Sequence, residues 1–217
     1  MQQKLNEVKK YLRDIKLSNI LSEDYITFEN DLDIFKNKIF YKKRKKYIKQ
    51  LKELDAVLVG SAALSMYRIN GVKVFNRYPN DLDFVVNRDN FIKFCGLNDF
   101  KNVKYTNTVV SLDFYTGIDK GTDSYGYHRG HSFYTDFDVI GNDDPISYNV
   151  IGDLKIESFL GIINKKLLLA EDYLDKYNNS SGLGWYLIDN YEKQAKKHIN
   201  DLFETITKIV AYGSHKT

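Results

Sequence analysis

Apolar residues recur at helical spacing from the start of the chain. Leu5, Val8, Leu12 and Ile15 are separated by charged and polar residues, which predicts an amphipathic helix over 4–17. Ser22 suits the N-cap of a second helix, with Glu23 and Asp24 in its first turn, where the helix dipole favours acids. That helix, or a broken pair, runs to about Leu54, and residues 1–59 contain no Gly or Pro to interrupt it. The texture changes at Asp55. The run AVLVG (56–60) is short, apolar and closed by Gly, as a buried strand is, and a helix starts over Ser61–Tyr67. DLDFVV (81–86) predicts a second strand and Phe91–Cys95 a short helix. Val109–Tyr115 and Phe133–Ile140, rich in β-branched and aromatic residues, predict further strands, with a Gly-rich loop over 117–130 between them. Helical periodicity returns over Ile156–Tyr177, breaks at the linker NNSSGLG (178–184), and resumes in a last helix. Ile188, Tyr191, Ala195, Ile199, Leu202, Ile206 and Ile209 share one face of that helix. The fold class expected is α/β (α+β): a small mixed β-sheet over 55–155, with an N-terminal helical extension over 1–54 and a C-terminal helical region over 156–217.

Composition narrows the classes. Of 217 residues, 43% are hydrophobic and 28% charged, so the chain can bury a core and is not globally disordered. Cys95 is the single cysteine, which excludes a disulfide framework and a Cys-based zinc cluster; it sits in an amphipathic stretch and reads as a small buried residue. No run of 18 apolar residues predicts a transmembrane helix, and the charged N-terminus has no apolar signal region. The expectation is a cytoplasmic protein with no membrane partner, in the host cytoplasm if it is phage-encoded. The formal net charge of +3 hides an asymmetry. Residues 36–49 carry eight Lys or Arg and no acid, which leaves the remainder at −5. Such a stripe is either a phosphate-neutralising surface or a solvated helix face.

The chemistry concentrates around Gly60-Ser61 and, about twenty residues later, Asp81-Leu82-Asp83. Strand side chains alternate, so Asp81 and Asp83 project the same way, about 7 Å apart along the strand, with Leu82 turned into the core. Two such carboxylates suit a pair of Mg²⁺ ions about 3.5–4 Å apart. Mg²⁺ takes few protein carboxylates and fills its shell with phosphate oxygens and water. Gly60 lets the backbone approach a ligand closely, and the helix that opens near Ser61 offers backbone N–H groups and a hydroxyl to a phosphate chain. A third carboxylate is expected from a neighbouring strand. Asp138 in FYTDFDVI is preferred because Val139 and Ile140 follow it as a buried strand end requires; Asp136 and Asp113 are the substitutes.

The segments VLVGSAALSMY, RYPNDLDFVV and DFDVI resemble the three core motifs of the polymerase-β-type nucleotidyltransferase superfamily, most of all its AbiE-type (AbiEii/MenT-like) toxins. Ser61 stands where many relatives carry Gly, and residues 1–55 match nothing in that pattern. The resemblance implies transfer of a nucleoside monophosphate from an NTP, such as ATP, to an acceptor hydroxyl, with Mg²⁺ or Mn²⁺. It implies Asp81, Asp83 and Asp138 as catalytic and metal-holding groups, and Gly60, Ser61, Arg77 and Lys155 as nucleotide-binding groups. GDLKIESFLGIINKK is similar to the family's strand-then-helix carrying a Lys, here Lys155, and KKHINDLFETI to its late helix, here Lys197, His198 and Asp201.

The acceptor is RNA, for example a tRNA end, or a protein hydroxyl, and an antitoxin or other protein is an expected partner. The alternative is a catalytically inactive nucleotidyltransferase-like module that binds nucleic acid or a protein, for instance in a phage or mobile element. Arg77 is either a phosphate ligand or the partner of a surface acid. Lys165 and Lys166 are expected to face solvent, and His198 with Asp201 to fix a helix against the core. His128 and His131 (HRGH) lack the further ligands a zinc site needs, and are placed at the mouth of the site.

Overall fold

The structure, a computed structural model, describes residues 1–14, 41–77, 79, 81–98, 109–112, 119–121 and 137–213. Ser22, the part of the basic stripe before residue 41, Asp113, Asp136, His128 and His131 lie outside the described residues. The chain divides into two compact units, each drawn from separate stretches of sequence. One holds the first helix, residues 64–77 and the chain from 159 onward; the other holds residues 41–63 and the described residues between 79 and 158.

The second unit is built on a seven-stranded mixed sheet. Its strands are β1 (Val57–Val59), β4 (Leu82–Val86), β5 (Val109–Leu112), β6 (Asp119–Gly121), β7 (Phe137–Gly141), β8 (Tyr148–Ile151) and β9 (Leu154–Glu157). The order is β6-β5-β7-β4-β1-β9-β8, with β1 antiparallel to β4 and parallel to β9, and β4 parallel to β7. Alternation divides the central strands into two faces. Leu58, Leu82, Phe84, Val86, Val139, Leu154 and Ile156 form one face, and all are buried. Val57, Val59, Asp83, Val85, Asp138, Ile140, Lys155 and Glu157 share the other, where Val57, Val59 and Val85 make a small apolar cluster with Ile140 and Ile146. The helix Arg88–Leu97 lies on the dry face. A Cβ on Gly141 would meet the Phe91 ring at 2.9 Å, so only Gly lets that helix approach. Asn87 caps it, accepting from the Asn90 N–H at 2.8 Å. Phe94 of the same helix takes an edge contact from Tyr47, which is buried with Leu51 in the helix Tyr41–Glu53. Cys95 is buried as expected, and burial pushes its thiol up to about 11.

The first unit is helical. Phe159–Asn178 and Trp185–Gly213 form a helical hairpin whose connection coincides with the predicted linker. Ala195, Ile199, Leu202, Ile206 and Ile209 are buried, as the final helix's apolar stripe requires. The first helix, Gln2–Asp14, packs on Trp185–Gly213 through Leu5 and Val8. The same unit holds a two-stranded hairpin, β2 (Arg68–Ile69) and β3 (Val72–Lys73), turned by Asn70-Gly71 at φ 50° and 78°.

Several expectations are corrected. The stretch from Ile156 does not begin a helix: Ile156 closes against Leu58 in β9, and the helix starts at Phe159. The Gly-rich stretch 117–130 contains strand β6, paired to β5 at the sheet edge. The helix after β1 spans only Gly60–Ser65. Lys166 is not solvent-facing but buried. No helix among the described residues is long and apolar enough to cross a membrane.

Candidate functional site

Strand register builds the site. Asp83 of β4 pairs directly with Asp138 of β7 in a parallel ladder, and residues opposite one another in such a ladder project to the same face. Adjacent strands lie about 4.8 Å apart, so two carboxylates stand side by side on the mixed face. Both residues are half-buried, and Oδ1 of Asp138 is sealed from solvent. On the other side, Asp83 is opposite Val59, the last residue of β1. Asp81 lies one residue ahead of β4, where no ladder imposes the alternation that would set it on Asp83's face.

Gly60 follows Val59 in the left-handed region, at φ 70°. A Cβ there would stand 3.0 Å from Oδ2 of Asp83, so the bare backbone of the turn lies against the carboxylate. Ser61 is the next residue, in the first turn of the six-residue helix. Gly60→Ala combines left-handed strain of about 1–2 kcal/mol with a displaced carboxylate. Urea titration should show that loss of stability, and a change confined to the wild-type range would refute the close packing of the turn on Asp83.

Two predicted nucleotide ligands have other partners. Lys155 sits on the mixed face, 2.5 Å from Oδ1 of Asp55 and with Nζ 4.4 Å from the centre of the Tyr148 ring. Its hydrogen bond to Asp55, helped by Tyr148, holds its pKa above the ordinary lysine value. Arg77 belongs to the helical unit. Its Nε and Nη2 donate to the two carboxylate oxygens of Asp201 at 3.1 and 2.9 Å.

Asp201 also accepts from Lys166 Nζ at 2.8 Å, and both are about 95% buried. The Phe75 ring lies near both cations, 5.3 Å from the Arg77 guanidinium and 5.8 Å from Lys166 Nζ. Burial pushes the Lys166 pKa down despite Asp201. Burial would raise the Asp201 carboxyl, but hydrogen bonds and charge from Arg77 and Lys166 hold it below its ordinary value. His198 stacks on Tyr173 at 5.8 Å. Burial, reinforced by Lys166 and Lys197, lowers its pKa to about 4. The expectation that His198 and Asp201 fix a helix agrees with this burial; the cationic partners that Asp201 has taken were not foreseen.

A neutral buried His198 has a consequence for acid stability. The unfolded chain takes up this proton near pH 6.5 and the folded chain only near 4, so stability is present above 6.5 and falls as the pH drops through that window. The loss is of order 2–3 kcal/mol. His198→Phe keeps the ring stack and does not titrate. Denaturation from pH 7 to 4 should show a shallower decline in the variant, and equal slopes would assign the acid loss elsewhere.

Among the described residues no group of three or more His, Cys, Asp or Glu is placed to hold a metal ion. The Asp83–Asp138 pair nonetheless fits Mg²⁺, which is commonly held by one or two carboxylates while substrate phosphates complete its shell. The side chain that sequence reasoning overlooked is Glu157. It is 1% exposed, at the end of β9, and its Oε2 is 3.5 Å from the Gly60 nitrogen. Alternation in LKIE, with Leu154 and Ile156 inward on one face, places this acid on the face of Asp83. No family model, curated protein or solved structure matches this chain.

Proposed function

We propose that this protein is a metal-dependent nucleotidyltransferase that moves an NMP from an NTP to an acceptor hydroxyl on RNA, a tRNA end or a protein. The observation that supports it is the in-register pairing of Asp83 with Asp138, beside the left-handed turn at Gly60. The motif resemblance supplies the reaction class.

In this reading Asp83 and Asp138 would hold Mg²⁺ or Mn²⁺, with the phosphates of the nucleotide completing its shell. When bound, the cation supplies charge compensation for the phosphoryl oxygens and for the acceptor oxygen. The acceptor oxygen forms a bond to the α-phosphorus as the bond to the pyrophosphate oxygen breaks, and pyrophosphate leaves. In this reading Asp138 accepts the proton that the acceptor hydroxyl gives up as its oxygen bonds to the α-phosphorus. Gly60 admits the phosphate chain to the backbone, and Ser61 offers a hydroxyl to it. Asp81 is the further carboxylate, brought in if β4 extends by one residue on loading. Lys155 reaches a phosphate by exchanging its Asp55 contact. Expected partners are the NTP, the acceptor and an antitoxin.

The test is Mg²⁺-dependent transfer of label from each of the four NTPs into total RNA and into total protein. Label at the α-phosphate should be incorporated and label at the γ-phosphate should not. Equal incorporation by wild type and an Asp83→Asn/Asp138→Asn variant would overturn the enzyme reading in favour of a binding module.

A further inference from the structure

Glu157 is a buried carboxylate at the end of β9, on the face opposite the buried Leu154 and Ile156. Carboxylates are rarely buried unless paired or hydrogen-bonded, since burial of the charged form is costly. An apolar residue would fill the same volume without that cost. Register shows what the acid is near. Leu58 pairs with Ile156, so Glu157 follows at the level of Val59, and Val59 pairs with Asp83. Glu157 and Asp83 therefore flank the end of β1 from its two neighbouring strands, on one face. Gly60, the next residue, touches both. Its N–H points to Oε2 of Glu157 at 3.5 Å, and its Cα faces Oδ2 of Asp83, where a Cβ would come within 3.0 Å.

We infer that Glu157 is a positioning residue that acts on Asp83 through Gly60: its carboxylate orients the Gly60 N–H and so keeps the left-handed turn closed against the Asp83 carboxylate. A separation of 3.5 Å is at the outer limit of a hydrogen bond, so the contact directs the turn more than it stabilises the fold. Gly60 at φ 70° has no side chain to hold its conformation, and an external acceptor on its N–H supplies the constraint. The effect on turnover rests on the transferase reading proposed above; the anchoring of Gly60 does not.

The experiment compares full-length wild type with Glu157→Gln, which keeps an acceptor, and Glu157→Met, which keeps the volume and removes it. Glu157→Leu serves if the Met variant fails to fold. Amide hydrogen exchange of Gly60 is followed by NMR, and NMP transfer is measured in parallel. Loss of the acceptor should speed Gly60 exchange at least tenfold and lower kcat at least tenfold, with KM for the NTP within threefold of wild type. Glu157→Gln should stay within threefold on every measure. Unchanged Gly60 exchange in the Met or Leu variant would overturn the inference, as would a Gln variant as damaged as the apolar ones. A wild type with no NMP transfer would overturn the transferase reading alone, and Gly60 exchange would still decide the anchor.

Discussion

Asp83→Asn or Asp138→Asn should abolish nucleotidyl transfer while leaving the protein folded and at least as stable as wild type. The two carboxylates are directly opposite in the β4–β7 ladder, on one face. Like charges directly opposite on a sheet repel, at a cost of about 0.2–1 kcal/mol, which one neutral amide relieves. Asn retains the volume and the hydrogen-bonding oxygen. The charge lost is the one that would hold a divalent cation against the α-phosphate. Electrostatic groups of this kind are commonly worth two to three orders of magnitude in kcat, or about 3–4 kcal/mol of barrier. A drop in kcat on the order of 10³-fold or more is therefore expected for each single variant. The double variant should be little worse than either, because the two act as one unit. The checks are steady-state transfer with α-labelled NTP and urea unfolding without divalent ions. Variants that lose stability in step with activity would mark the pair as structural.

Asp201→Ala should destabilise the helical unit by about 3–5 kcal/mol, enough to unfold a marginal domain. Asp201 is the carboxylate between Arg77 and Lys166, and Lys166 is buried with it. Removing the acid takes the anionic partner from a buried ammonium and both acceptors from a bidentate guanidinium contact. The cost comes from the charge left behind more than from the pair's net worth. Combining Asp201→Ala with Lys166→Met should then recover a large part of the loss. Urea titration of the single and double variants checks this, and strictly additive losses would show that Lys166 does not depend on Asp201.

The legible parts of the fold were those with local signals. Strands β1 and β4 were marked by apolar runs, the final helix by its spacing, and the helical hairpin's connection by NNSSGLG. Two hairpins were overlooked although their turns carry local signatures. Asn70-Gly71 adopts positive φ at both residues, the type I′ pattern that Asn-Gly favours. Gly152-Asp153, with Gly152 at φ 61°, closes β8 on β9 inside a stretch of alternating polarity. The helical period assigned from Ile156 concealed the second of these, because apolar residues at 154 and 156 serve a strand as well as the approach to a helix.

The candidate site was legible only as a set of residue types. Composition and order along the chain decided that acids stand at 81, 83 and 138, that a glycine ends the first strand, and that cations lie at 77, 155 and 166. Local periodicity is enough for that, because each signal depends on neighbours a few residues away. Which acids meet was decided by the ladder between β4 and β7, whose members are 55 residues apart in the chain (Asp83 and Asp138). The same holds for Asp201, which lies 124 residues from Arg77 and 35 from Lys166 yet draws both. It holds for Glu157, whose approach to Gly60 spans 97 residues. Register, burial and charge pairing are properties of non-local packing, and a linear pattern does not encode which side chain another strand or helix will bring to it.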